Sequence, residues 1–119
     1  MNTYSLTIPG NPIPKARPRI VNGRAYTPER TAEWEEIVRN TAMLQWTGRP
    51  LGGPLSILMH FSRKNRRRCD LDNLVKAVLD GLQGVVFADD WQIVTLAASK
   101  SVNRDDPGVE IEIEELAGW

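Results

Sequence analysis

Asp70 and Asp72 stand one residue apart in the run RRRCDLDNLVKAVLD (66–80), behind three arginines and ahead of a periodic apolar stretch. Two carboxylates near one another repel, and each resists ionisation unless a cation lies between them. A divalent cation with oxygen ligands supplies that charge and keeps positions open for water and a phosphate oxygen. Lys76, one helical turn beyond Asp72, is spaced to orient water or to offset charge developing on a phosphate. The run FADDWQ (87–92) offers a third acidic group, Asp89 or Asp90, again just before a strand. With one histidine and one cysteine, a structural zinc site is close to impossible. A catalytic metal would therefore be held by oxygen, which favours magnesium or manganese. The plainer reading of the same residues is helix capping, a favourable dipole interaction and ordinary i,i+4 pairs for Lys76.

These roles depend on where the helix begins. Leu71, Leu74, Val75, Val78, Leu79 and Leu82 recur at helical spacing, and Gly84 stands where a C-terminal glycine belongs. On that wheel Asp72, Lys76 and Asp80 line one edge of the polar face. Asp70, if helical, would point to the opposite flank. It converges with Asp72 only from the N-cap or the preceding loop.

Around this helix, TYSLTI (3–8) alternates as a strand, and PGNPIPKARPR (9–19) is a stiff, proline-rich, basic loop. RIVNGRAY (19–26) carries the Asn22-Gly23 signal of a two-residue hairpin. Thr27 as N-cap and Pro28 at the first helical position open a helix running to about Gln45, burying Trp34, Ile37, Val38 and Met43 or Leu44. LSILMHF (55–61) reads as a buried strand; QIVTLAASKSV (92–102) and GVEIEIEEL (108–116) read as strands joined by NRDDPG. The order predicts one α+β domain, a mixed sheet packed with two main helices. His60 and the tryptophans Trp34, Trp46 and Trp91 are expected in the core or at an interface.

The 119 residues, 41% hydrophobic, allow one modest core, and oligomerisation would strengthen it. No apolar run is long enough to span a bilayer, the N-terminus lacks a signal-peptide pattern, and the lone Cys69 suits a reducing cytosol. Charge is unevenly spread. Residues 1–68 hold twelve Lys and Arg against four Glu, a net of +8, and residues 69–119 hold three against eleven acids, a net of −8. Such asymmetry points either to nucleic acid or to two halves that attract one another. Lys15, Arg17 and Arg19, spaced by two, project one way from a stiffened loop and suit a phosphate backbone; the consecutive Arg66, Arg67 and Arg68 are a second basic run, placed for a phosphate beside the aspartates.

The run RRRCDLDNLVKAVLDGLQ…DDWQIV closely resembles the signature of the RusA family of Holliday junction resolvases, and PIPKARPRI and YTPERTAEWE are similar to earlier segments of that family. The resemblance implies that Asp70, Asp72 and Asp90 form a metal site, with the D-D-x-Q pattern selecting Asp90, and that Lys76 is needed for catalysis. It implies a small mixed α/β homodimer, bacterial or phage-encoded, that cuts four-way DNA junctions by paired symmetric nicks with magnesium or manganese. A two-fold dimer matches the junction's symmetry. The late strands 92–102 and 108–116 are where the self-complementary patch is expected. The alternative is a non-catalytic branched-DNA-binding protein on the same scaffold.

Overall fold

In the computed structural model, residues 2–17, 19–26 and 28–118 are described, the side chains of Arg19 and Tyr26 excepted. The elements run β1 (Asn2–Pro9), β2 (Arg19–Val21), β3 (Arg24–Tyr26), α1 (Glu29–Gln45), β4 (Leu55–Arg63), α2 (Leu71–Leu82), a 3-10 turn η1 (Asp90–Gln92), β5 (Ile93–Val102) and β6 (Gly108–Glu115). This is the predicted α+β arrangement. The Asn22-Gly23 turn forms with both residues at positive φ, 53° and 77°, as a two-residue hairpin of the primed type requires.

A four-stranded mixed sheet has the order β1-β6-β4-β5, with β4 and β5 parallel and the other pairs antiparallel. Leu55, Ile57, Met59 and Phe61 of β4 join Val109, Ile111 and Ile113 of β6 and Leu6 and Ile8 of β1 on one buried face. Against that face lie Leu74, Val78 and Leu82 of α2 and Trp34, Val38 and Ala42 of α1. The opposite face carries Glu110, Glu112 and Glu114. The strands joined by NRDDPG are not partners: β4, apolar at alternate positions along most of its length, lies between them.

The first helix differs from expectation in its register. Pro28 stands at the N-cap rather than inside the first turn, and the assignment of Thr27 as cap lies outside the described residues. The buried stripe is Thr31, Trp34, Val38 and Ala42, so Ile37, Met43 and Leu44 are exposed on the flanks. That stripe is selected by α2, where Gly81 lets the helices meet: a Cβ there would lie 2.7 Å from Val38 Cγ1. The tryptophans differ in burial. Trp91 is 66% exposed, and Trp46 is half-buried with its ring 4.8 Å from that of Tyr4, while Trp34 is in the core as expected. His60 lies on the open face of the sheet, its ring nitrogens within 2.7 and 2.9 Å of the Ser99 and Ser101 hydroxyls. No helix of the described residues is long and apolar enough to cross a membrane.

Candidate active site at the mouth of α2

Asp70 sits at the N-cap of α2 with extended backbone, φ −85° and ψ 135°. Its carbonyl accepts the first helical bond from Leu74 N at 3.2 Å, yet its carboxylate makes no capping bond. The convergence condition read from the sequence is thus met in backbone geometry, and the Asp70 carboxylate is not used as a cap. Asp72, in the first turn, accepts from the neighbouring Asn73 N–H at 3.0 Å. Both aspartates are exposed.

Asp89 and Asp90 divide their work. The Asp89 carboxylate accepts from Trp91 N at 3.2 Å, and the Gln92 side chain accepts from Asp89 N at 2.8 Å, closing a capping box around η1. Gln92 in turn donates to the carbonyls of Leu51 and Gly53, at 2.9 Å each, which ties η1 to the loop before β4. Asp90 is left facing α2, with Oδ2 3.3 Å from Lys76 Nζ.

Lys76 belongs to a longer chain of charges. Its ammonium also meets Asp80 Oδ1 at 2.9 Å; Asp80 Oδ2 meets Lys15 Nζ at 3.0 Å; and Lys15 reaches Glu35 of α1 at 2.9 Å. The Lys15 backbone N–H donates to the Asn73 carbonyl at 2.8 Å, fastening the proline-rich loop along α2. Burial works against the charge on Lys15, but the bonds and charges of Glu35 and Asp80 prevail and raise its pKa. Burial likewise opposes ionisation of Asp80, and Lys76 and Lys15 overcome it, so this carboxyl falls below its ordinary value. The hydrogen bond to Asp80, with smaller help from Asp90, raises Lys76.

Sequence reasoning singled out Lys15 for DNA; the structure gives it two carboxylate partners. Asp80, four residues after Lys76, was legible only as a member of the polar edge, and its joining of two lysines was not. Arg17, Arg66, Arg67 and Arg68 are exposed and in no ion pair among the described residues, while the Arg19 side chain lies outside the description. Among the described residues there are four ion pairs, and Lys15–Asp80 is the one that joins the basic half to the acidic one. The donor set at this mouth is oxygen alone, suited to a hard cation. Among the described residues no three carboxylates, histidines or cysteines stand close enough to hold a metal as they are.

A mixed sheet with a carboxylate-bearing helix mouth, flanked by unpaired arginines, has the equipment of a phosphodiester-handling protein. The profile of the family described as endodeoxyribonuclease RusA matches residues 9–114. The chain is 31% identical to the crossover junction endodeoxyribonuclease RusA of Escherichia coli K12 and 30% identical to that of Enterobacteria phage 82, covering 98% of this chain and of each relative. It is also 27% identical to YqaN of Bacillus subtilis over 98% of this chain. The chain belongs to the RusA endodeoxyribonuclease family.

Proposed function

We propose that this protein is a magnesium-dependent endonuclease that resolves four-way DNA junctions by paired nicks; the naming of its relatives as crossover junction endodeoxyribonucleases supports the junction-cutting part of this reading. The observation that carries the reading is the Lys76–Asp90 contact, which brings the DDWQ segment to the same edge of α2 as Asp72. Asp70, Asp72 and Asp90 would hold the cation, since their oxygens suit it and the Asp70 carboxylate is not spent on capping. Bound there, magnesium or manganese would supply Lewis-acid polarisation of the phosphodiester and an acidified water.

The chain's own groups do the rest. Lys76, kept charged by Asp80, offsets negative charge as it grows on the attacked phosphate. Asp80 and Lys15 hold that ammonium in place from behind, so its position does not depend on Asp90 alone. Arg66, Arg67 and Arg68 bind the strand by charge, independent of sequence. The acidic open face of the sheet repels DNA, so the duplex arms approach from the helix side. Two copies related by a two-fold axis would deliver the two cuts.

Incubation with a labelled synthetic four-way junction tests this. Paired nicks are expected with magnesium or manganese and none with EDTA. Junction binding without nicks in either metal would instead establish a binding-only member of the family.

A further inference from the structure

The inward positions of β4 are Leu55, Ile57, Met59, Phe61 and then Arg63. Arg63 is 7% exposed, so a guanidinium with five donors is enclosed at the end of an apolar row. One nitrogen, Nη1, donates to the Arg67 carbonyl; Nε has no partner, and no carboxylate lies within ion-pair distance among the described residues. A buried charge left without a counter-charge is costly, and arginine cannot shed its proton to avoid the cost. Its surroundings make matters worse. The adjoining cavity of about 490 Å3 is lined by Arg63, Arg30, Arg67 and Arg68, with Glu29 as the single carboxylate.

The first turn of α1 also lines this cavity, through Pro28, Glu29, Arg30 and Thr31. The first helical backbone bond is Ala32 N–H to the Pro28 carbonyl, so the N–H groups ahead of it have no helical acceptor and carry the positive end of the dipole. Four guanidiniums, one of them buried and underused, converge with a helix N-terminus on a space large enough for a phosphate and its sugar. This is an anion site by construction. It also opens toward the chemistry. A second groove, reaching Asp70 and Asn73, shares Pro14, Ala16 and Arg68 with the cavity wall.

We propose that this cavity seats a backbone phosphate of the DNA strand that continues along the groove to Asp70, with Arg63 as its buried donor. The inference rests on the nuclease reading for the identity of the strand, though not for the presence of an anion site. Its test uses metal-free buffer, so that binding is read apart from cleavage. Affinity for a labelled four-way junction is measured across a salt series for wild type, Arg63→Met, Arg63→Lys and Arg30→Gln. In parallel, thermal melting is followed with inorganic phosphate against sodium chloride of equal ionic strength.

Arg63→Met is expected to bind about tenfold more weakly near 0.1 M salt, with the salt slope reduced by about 0.9, the value of one phosphate contact. Arg63→Lys should recover part of the affinity, and Arg30→Gln, a change at an exposed position, should repeat the loss without disturbing the fold. Phosphate should raise the melting temperature of wild type and not of Arg63→Met. An unchanged affinity and slope in both Arg63→Met and Arg30→Gln overturns the proposal. So does a phosphate-stabilised protein whose junction binding ignores both variants, because the cavity then takes free phosphate and not the strand. If the variants show these losses but wild type never nicks a junction in magnesium or manganese, the nuclease reading falls and the cavity assignment stands.

Discussion

Asp89 and Asp90 are neighbours whose carboxylates do different things: one caps η1, the other faces Lys76. Asp90→Asn, like Asp70→Asn and Asp72→Asn, is expected to abolish nicking while leaving junction binding equal to wild type or tighter, because a metal ligand goes and phosphate repulsion falls. Single-turnover cleavage beside a binding titration checks each. Asp89→Ala should instead cost about 1 kcal/mol of stability, the usual worth of a cap, and retain measurable nicking. Lys76→Ala should lower the rate at saturating junction with little change in affinity, whereas Arg66→Gln, Arg67→Gln and Arg68→Gln should weaken binding and flatten its salt dependence. A Lys76→Ala protein that loses affinity yet keeps its saturated rate would make Lys76 a phosphate clamp.

At the scale of elements, the site depends on how α1 crosses α2. A methyl group at Gly81 would meet Val38 Cγ1 at 2.7 Å and the Glu35 carbonyl at 3.0 Å. Gly81→Ala gains about 1 kcal/mol of helix propensity but should lose more through overpacking, which typically costs about 1–3 kcal/mol. Denaturant unfolding reads the balance. The same crossing is spanned by Lys15, between Glu35 of α1 and Asp80 of α2. Since the Asp80 carboxyl lies below its ordinary value, its contribution is complete above about pH 4 and disappears as pH falls through the lowered folded value. The melting-temperature gap between wild type and Asp80→Asn should therefore be constant near neutrality and close as pH falls through that lowered value. Its size corresponds to about 0.5–1 kcal/mol, because these side chains are partly open to water. Lys15 supplies the opposite limb: its raised pKa stabilises the fold below about pH 10 and is lost above the folded value.

Of the sheet's two outer strands, β1 and β5, β5 is the one that displays exposed large apolar side chains. β5 is the outer strand beyond β4 and exposes Val94, Leu96 and Val102, while β6 is enclosed between β1 and β4 and offers only an acidic outer face. Of the two late strands expected to supply a self-complementary patch, β5 is the one with a free edge. Unpaired edges of this kind are ordinarily covered, and a two-fold axis beside β5 would cover both copies with one contact. Sedimentation equilibrium at micromolar concentration is expected to give a dimer, and Leu96→Glu a shift toward monomer. A wild-type monomer that makes paired nicks without associating on the junction would exclude this arrangement.

Much of this was legible in the residues themselves. The stripe from Leu71 to Leu82, the Asn22-Gly23 turn and the alternation of β4 and β6 are local patterns, each specified by side chains within a few positions of one another. For the same reason its spacing to Asp72 and the apolar run behind it narrowed Asp70 to the N-cap or the preceding loop, and it stands at the N-cap. Packing between distant segments decided the rest. Alternation says which face of a strand is apolar but not which neighbour it takes, so the placing of β4 between β5 and β6 was settled by the sheet as a whole. The exposed positions of Ile37, Met43 and Leu44 followed from where Gly81 admits α1. Lys15 found Glu35 and Asp80, 20 and 65 positions further along the chain, only because the loop lies along α2. Which residues are acidic, basic or apolar is written in the sequence; which charges are paired, and which one is buried without a counter-charge among the described residues, is decided only by the three-dimensional meeting of segments far apart in the chain.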